Sequence, residues 1–391
     1  ALEGAKDILA EQLSDDANIR QLLREEWLKN SLLLAQKTKD EPSVYEMYYD
    51  YSEPLKTIVG HRILAINRGE KEGFLSVKIQ GEDERLFEKM GRAIIKKNSH
   101  TAEILQEVIE DSYKRLIAPS FERELRNDFT EKAEESALGV FRENLKQLLL
   151  QPPIAGKVVL ALDPAFRTGC KLAVIDETGK PLETAVIYPT PPQNKRAEAE
   201  KTLKRLIESY GVELISIGNG TASRESEQFV AEVLKSLDRR VQYIIANEAG
   251  ASVYSASKLG AEEFPQYDVS LRSAVSIGRR IQDPLAELVK IDPKSIGVGQ
   301  YQHDMNQKRL GEALGGVVED CVNSVGVDLN TASPSLLSYV AGINSTVAKN
   351  ILLYREENGK FKSRKELLKV PKLGPKAFLQ CAGFLQKCLG A

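Results

Sequence analysis

The sequence predicts a multidomain, mainly α-helical protein with one α/β domain, in which helices flank a mixed β-sheet. Three observations predict this: helical periodicity over most of the first 150 residues, strand-length and helix-length apolar segments over residues 158–283, and short helices joined by glycine-containing turns near the end. At 391 residues, 42% hydrophobic and 28% charged, the chain has room for two to four ordinary globular domains. We predict boundaries near residues 152, 157, 290 and 330.

Residues 1–152 are predicted to form a helical scaffold without a catalytic constellation. Residues 74–79 alternate between apolar and polar side chains, which predicts one short strand after a turn at Gly73. Pro152 and Pro153 favour an extended segment and mark the end of the scaffold. Apolar residues at helical spacing predict helices over residues 17–36, 83–97, 101–118 and 122–150.

Aromatic residues of the scaffold have two interpretations. Trp27 lies on the second predicted helix, where a core or interhelical anchor is the expected role of a tryptophan. A cluster of tyrosines could stack nucleobases, but packing of a loop against helices is the favoured interpretation. The cluster consists of Tyr45, Tyr48, Tyr49 and Tyr51.

Residues 157–290 are predicted to form the α/β domain. Three strand-length runs joined by short turns, at residues 158–162, 171–175 and 182–188, predict an antiparallel meander. Helix and strand patterns then alternate over residues 194–246, which predicts two β-α crossovers and therefore a mixed sheet. This order, with Asp163 at the tip of the first strand, is the layout of the ribonuclease-H-like fold.

Several short sequence motifs of this domain resemble those of the Tex family, which are bacterial transcription accessory proteins with a YqgF-type, resolvase-like central domain. The resemblance implies a nucleic-acid-binding protein of the transcription apparatus, with RNA or DNA as partners, and RNA polymerase or ribosome components as further ones. It also implies that this chain is the central part of a longer cytoplasmic protein. The motifs are Leu162-Asp163-Pro164, Gly218-Asn219-Gly220-Thr221, Asn247-Glu248-Ala249 and Gln282-Asp283-Pro284.

The resemblance also implies candidate catalytic and metal-binding residues, namely Asp163, Glu248 and Asp283. Enzymes of this fold hold two Mg²⁺ ions between carboxylates at strand tips and on a late helix. We expect Asp283 to lie on that late helix, starting near Ser270, and to close the site. Magnesium is the only cofactor that this interpretation involves.

Asn219 departs from the pattern of such nucleases, which commonly place an acid at the tip of the fourth strand. An amide carries no charge and is a poorer ligand for Mg²⁺ than a carboxylate. We therefore favour a noncatalytic scaffold that requires no cofactor. The alternative is a Mg²⁺-dependent nuclease of the resolvase type.

The turn Gly218–Asn219–Gly220–Thr221 joins a predicted strand to a predicted helix. Such a turn exposes backbone N–H groups at a positive helix end and can bind phosphate, with Arg224 one turn into the helix. Most α/β units close with similar turns, so a purely structural role is the other interpretation. Arg279 and Arg280 follow later in the chain. They either contact the phosphate backbone of a nucleic acid or form part of a solvated helix face.

Residues 331–391 resemble a tandem helix-hairpin-helix module, reached through a helical connector at residues 291–330. Hairpin glycines let the backbone approach a nucleic-acid strand, and the N–H groups of the next helix hold a phosphate. Asn344 stands where a second glycine is usual, and we expect it to adopt a left-handed φ. The candidate nucleic-acid-binding residues are Gly342, Ile343, Asn344 and Lys349 in the first hairpin and Lys372, Gly374 and Lys376 in the second.

Charge is concentrated in this module. Ten basic residues face three acids over residues 331–391, a balance of +7, whereas the whole chain carries −2. Phosphate contacts would be nonspecific and sensitive to salt, and the alternative is that these helices dock proteins. The basic residues are Lys349, Arg355, Lys360, Lys362, Arg364, Lys365, Lys369, Lys372, Lys376 and Lys387.

Four scattered cysteines without paired metal-ligand spacing predict reduced thiols, as is usual in a cytosol. They are Cys170, Cys321, Cys381 and Cys388.

Overall fold

The computed structural model describes residues 2–81, 83–96 and 100–386. These residues form two compact units, one of Ala1–Val140 with His303–Met305 and one of Phe141–Gln302 with Asn306–Ala391. The four-part division predicted from the sequence is finer than these two units and stays a prediction. The predicted helix end at residue 97, Lys387 and Cys388 lie outside the described residues. No helix within the described ranges is long and apolar enough to cross a membrane.

The first unit is mainly helical, as predicted, but it also contains a three-stranded antiparallel sheet of order β2-β1-β3. Its elements are α1 (Leu2–Asp15), α2 (Ala17–Asn30), β1 (Leu32–Lys37), β2 (Asp50–Pro54), α3 (Gly60–Lys71), β3 (Leu75–Gln80), α4 (Asp83–Ile94), α5 (Ala102–Asp111) and α6 (Ala118–Leu149), of which α6 continues into the second unit. The single strand predicted over residues 74–79 is confirmed as β3.

The prediction of a helix through residue 36 is wrong, because α2 ends at Asn30 and the chain then forms β1. β1 is the central strand of the sheet and pairs with β2 on one side and β3 on the other. Leu33 and Ala35 are buried at alternate positions. Pairing on both sides outweighs the weak helical preference of this short leucine run.

The predicted helix break between residues 118 and 122 is also absent. A π-helical segment, Ser112–Ile117, continues from α5 and leads directly into α6. Pro119, in the first turn of α6, lacks an N–H group and its ring crowds the preceding turn. The wider π turn immediately before it lets the helical path continue.

Burial confirms the packing interpretation for Trp27, Tyr45 and Tyr48, whereas Tyr49 and Tyr51 are half-buried. Trp27 is 3% exposed and its ring lies 6.1 Å from that of Phe121. Tyr45 and Tyr48 are 4% and 5% exposed, so neither ring offers a face to a nucleobase.

The second unit contains the predicted mixed sheet, with strand order β6-β5-β4-β7-β8. The first three strands are antiparallel neighbours, and β4, β7 and β8 are parallel, which confirms the meander followed by two crossovers. Helices α7 and α8 cover one face of the sheet, and α9 and α11 cover the other. The elements are β4 (Val159–Asp163), β5 (Cys170–Ile175), β6 (Pro181–Ile187), α7 (Arg196–Tyr210), β7 (Leu214–Gly218), α8 (Ser223–Lys235), β8 (Gln242–Ala246), α9 (Ala251–Ala256), α10 (Lys258–Glu263), α11 (Val269–Gln282) and α12 (Pro284–Leu288).

Further helices follow this domain within the same unit. A short parallel pairing between β9 and β10 joins the residues just after the first of these helices to the end of the described segment. The elements are α13 (Gln307–Val325), β9 (Val327–Asp328), α14 (Pro334–Leu337), α15 (Ser345–Asn358), α16 (Pro375–Cys381) and β10 (Leu385–Gln386), with a 3₁₀ segment at Arg364–Lys369.

Candidate functional site

Two carboxylates meet at one edge of the central sheet. Asp163 ends β4, and Glu248 follows β8 by two residues. Because β4, β7 and β8 are parallel, their carboxyl ends lie at the same edge. Burial raises the pKa of Asp163, and the hydroxyl of Ser273 and the positive charge of Lys171 oppose that rise only in part.

Glu248 occupies a space that two glycines leave open. A Cβ atom on Gly218 or on Gly220 would overlap the carboxylate of Glu248. Burial raises the pKa of the Glu248 carboxyl, and the negative charge of Asp163 raises it further. The Oε2 atom of Glu248 is buried and has no hydrogen-bond partner among the described residues.

The loop that carries Glu248 is held from two sides. The side-chain oxygen of Asn219 accepts a hydrogen bond from the Glu248 backbone N–H at 3.1 Å. Arg280, only 5% exposed, donates through Nη1 to the backbone oxygens of Asn247 at 2.7 Å and Ala249 at 3.0 Å. These contacts fix the backbone on both sides of the carboxylate.

The glycine turn at residues 218–221 therefore accommodates the carboxylate of Glu248. The backbone N–H of Gly220 lowers the pKa of the Glu248 carboxyl, which is the effect of a donor placed at an anion. This amide already faces an anion of its own chain, so the structure does not favour Gly220 as a phosphate ligand. Thr221 and Arg224 are exposed nearby, and their assignment to phosphate stays a prediction.

Asp283 does not lie on the late helix, and the prediction that it closes the site from there is wrong. It follows the last residue of α11 and caps α12, with its Oδ1 accepting a hydrogen bond from Ala286 N at 3.0 Å. Ser273, beside Asp163, is ten residues away along α11, which is about 15 Å of helix axis. The neighbouring Gln282 contacts the backbone oxygen of Lys157, which precedes the opposite end of β4.

The carboxylates present fit at most a single cation. The buried Oε2 of Glu248 has no partner, and Asp163 is its acidic neighbour. Within the described residues there is no group of three or more His, Cys, Asp or Glu side chains that could hold a metal ion. A two-metal arrangement would need a further carboxylate, and the amide oxygen of Asn219 is engaged by the backbone.

Three residues that support the carboxylate pair were not predicted from the sequence, or were predicted with two alternatives. Lys171 pairs with Asp163 across the antiparallel β4–β5 ladder, and its Nζ donates to the backbone oxygens of Thr168 and Gly169, both at 2.8 Å. Ser273 faces the sheet from α11. Arg280, considered as a backbone contact or a solvated residue, is buried. Arg280 lies seven residues after Ser273, on one helix face with Ser276, and polar residues at this spacing in a helix with an apolar buried side are the signal that could have identified both.

The last part of the chain contains two equivalent hairpin turns, whose residue numbers differ by 30. In the first, Ile343 N donates to Val340 O at 2.9 Å, and in the second Leu373 N donates to Val370 O at 3.2 Å. These four apolar residues are buried. Gly342 and Lys372 stand at the same position of the two turns, with φ of 82° and 67°.

The prediction of a left-handed φ at Asn344 is wrong. Its φ is −92°, and it caps α15 by accepting a hydrogen bond from Val347 N at 2.9 Å. Gly374, at the equivalent position before α16, has nearly the same backbone angles, with a φ of −81°. The glycine usual at this position is therefore not required for its φ.

The two hairpins are joined and present lysines. Asn350 Nδ2 on α15 donates to Pro371 O in the second turn at 2.8 Å. Lys349, Lys372 and Lys376 are exposed and make no hydrogen bond or ion pair with any described residue. Arg355, in contrast, holds the backbone oxygens of Leu329 and Ala332, so part of the positive charge maintains the fold.

Three family models match the chain. One for the Tex central region matches residues 1–141, one for the Tex protein YqgF-like domain matches residues 157–282, and one for the helix-hairpin-helix motif matches residues 322–386.

Similar proteins are found across bacteria. The chain is 58% identical over 391 residues to a Bacillus subtilis protein named Uncharacterized protein YdcI, covering 99% of this chain and 54% of that protein. It is 47% identical to Protein tex of Bordetella pertussis over 99% of this chain and 51% of the relative. It is also 47% identical to the Transcriptional accessory protein Tex of Neisseria gonorrhoeae, again over 99% of this chain and 52% of the relative. The chain thus spans about half the length of these curated relatives.

Proposed function

The chain belongs to the Tex family, and from that premise we propose that it is a nucleic-acid-binding accessory factor of transcription. It contacts the phosphate backbone of RNA or DNA through its tandem hairpins, largely without sequence specificity. The observation that carries this proposal is the repeated turn geometry at Gly342 and Lys372 beside exposed lysines without partners. Backbone contacts of this kind position a protein on a strand without reading bases.

The helix after the first turn supports the proposal. Its first N–H groups, at Ser345 and Thr346, have no partner within the helix, and both residues are exposed. Such groups together with the helix dipole attract phosphate. Lys349 lies on the same helix, one turn further along.

We propose that the carboxylate pair is a support for the domain and not a nuclease centre. Asp163 and Glu248 are half-buried, and Asp283 follows the last residue of α11, ten residues from Ser273. The second candidate function, Mg²⁺-dependent cleavage, draws support from one observation, the unpartnered Oε2 of Glu248. If Mg²⁺ is bound, Asp163 and Glu248 would hold it, and it would supply charge for a phosphate oxygen.

The test of binding replaces Lys349, Lys372 and Lys376 by glutamine in one variant. Affinities for labelled RNA and DNA are measured over a range of salt concentrations. We expect weaker binding, and a decrease of the salt slope by about 2 to 3, since each lost phosphate contact lowers the slope by about 0.7 to 0.9. The matched control replaces Lys180, Lys201 and Lys235, three exposed lysines of the α/β domain.

Equal curves for the triple variant and wild type would refute the proposed interface. Absence of binding to either nucleic acid at low salt would favour the protein-docking alternative, with RNA polymerase or ribosome components as the candidates. Strand cleavage that requires Mg²⁺ or Mn²⁺ and disappears in Asp163→Ala would establish the nuclease instead.

A further inference from the structure

Lys372 stands at a backbone position that disfavours lysine. Residues 370–373 form a turn closed by the Leu373 N to Val370 O hydrogen bond, with Pro371 second and Lys372 third, at a φ of 67°. A proline followed by a residue with positive φ is the pattern of a type II turn, whose third position favours glycine or asparagine. A lysine there is strained, because its Cβ crowds the backbone.

The first hairpin shows what the same turn contains without such strain. Gly342 occupies the equivalent position at a φ of 82°. A Cβ on Gly342 would lie 2.8 Å from Gln380 Cβ and 3.0 Å from Ala377 O, both on α16. The first turn therefore packs against the second hairpin and has no room for a side chain.

The second turn is open at this position. Lys372 is exposed and makes no hydrogen bond or ion pair with the described residues. No such contact therefore offsets the conformational strain of its backbone. Lys376 is exposed four residues further along, at the first turn of α16. Pro371 is tied to the first hairpin by Asn350, so the tip is held in place.

We propose that the two hairpins have different roles and that Lys372 is the main phosphate-binding side chain of the module. The second turn presents its ammonium group to a phosphodiester of the nucleic-acid backbone, and the first turn is the buttress that holds the second. This inference rests on the proposed function. Backbone strain that no internal contact offsets is characteristic of binding sites, where the ligand contact compensates for it.

The test uses four single variants of Lys372. Lys372→Gly and Lys372→Asn remove the charge and relieve the backbone, Lys372→Ala removes the charge only, and Lys372→Arg keeps the charge. Affinity for a short fluorescein-labelled duplex is measured at about 50 mM salt, and thermal unfolding is followed by circular dichroism.

We expect Lys372→Gly, Lys372→Asn and Lys372→Ala to bind about fivefold more weakly, with a salt slope lower by about 0.7 to 0.9. Lys372→Asn should raise the unfolding midpoint by about 2 °C, Lys372→Ala should leave it unchanged, and Lys372→Arg should bind like wild type. Opposite signs for stability and affinity in Lys372→Asn are the signature of a strained binding residue.

Lys349→Gln, on α15 behind the first turn, is the matched control and should lose less affinity than Lys372→Ala. Wild-type affinity in Lys372→Asn, or a larger loss in Lys349→Gln, would overturn the unequal roles of the hairpins. If the triple lysine variant loses affinity while the Lys372 variants do not, the inference fails and the proposed function stands. If none of these variants loses affinity, the proposed function itself fails.

Discussion

The side-chain oxygen of Asn219 accepts a hydrogen bond from the backbone N–H of Glu248 at 3.1 Å. The neutral residue at the tip of β7 thus positions the loop that carries an acid, instead of adding charge to the site. The glycines on either side of Asn219 make room for the same carboxylate. The turn between β7 and α8 is therefore organised around Glu248.

Asn219→Asp should change the response of the protein to divalent cations. Aspartate can still accept the Glu248 N–H, but it adds a third carboxylate near Asp163 and Glu248, whose mutual repulsion already raises the pKa of Glu248. Without metal we expect the free energy of unfolding to fall by about 1 kcal/mol, seen as a lower thermal midpoint, and to recover on addition of Mg²⁺ or Mn²⁺. Differential scanning fluorimetry with and without the ions measures this. Asn219→Ser is the uncharged control, and an equal metal response in both variants would contradict the expectation.

Glu248→Gln should stabilise the fold at neutral and higher pH. The pKa of the Glu248 carboxyl is raised in the folded state, so the folded protein holds a proton that the unfolded chain releases. The free energy of unfolding contributed by this group therefore falls as pH rises from about 4 through the folded-state pKa. Glutamine does not titrate, so it removes this pH dependence. The variant is therefore more stable than wild type at about pH 8, and the difference between their free energies of unfolding shrinks towards about pH 4.

Urea unfolding of Glu248→Gln and wild type across this pH range measures the difference. Glu208→Gln, which changes an exposed acid on α7, is the control and should show no such trend. A Glu248→Gln variant that loses stability as pH rises, relative to wild type, would contradict the burial of this carboxyl.

Gly220→Ala should destabilise the protein through Glu248. The added methyl group would overlap Oε1 of Glu248, although the φ of Gly220 is one that alanine can adopt. We expect a loss of about 1 to 3 kcal/mol in wild type and less than about 1 kcal/mol in a Glu248→Ala background. A double-mutant cycle from urea unfolding measures the coupling. Gly211→Ala, at a φ of 63° with open space around it, should cost the same in both backgrounds.

Arg280→Met should be strongly destabilising. It removes the donor shared by the backbone oxygens of Asn247 and Ala249 and leaves both part-buried oxygens without this partner. We expect a loss of about 3 kcal/mol, measured as a lower urea midpoint with an unchanged slope. Arg279→Met, which changes the more exposed neighbour, should cost less. Equal losses would show that the loop does not depend on Arg280.

In the hairpin region one turn residue was predictable from the sequence and two were not. The glycine at position 342 correctly identified a turn, because a positive φ is a local property that glycine marks. Lys372 adopts the same geometry without a glycine, and Asn344 has an ordinary extended φ where a left-handed one was expected. The buried apolar residues on either side of each turn maintain the common geometry of the two hairpins. Their burial depends on tertiary packing.

Three features were readable from the amino-acid order alone: the succession of strands and helices in the α/β domain, the position of Asp163 at a strand tip and the basic character of the last 60 residues. These properties follow from local periodicity and composition, which each segment carries independently of its neighbours. Three further features became clear from the folded chain: residues 32–37 form a central strand, Asp283 lies ten residues along α11 from Ser273, the residue beside Asp163, and the Gly218–Thr221 turn is filled by Glu248. Each of these three features depends on which groups, distant in sequence, meet in the folded chain. The energies of strand pairing and close packing that select them arise only when the elements pack together.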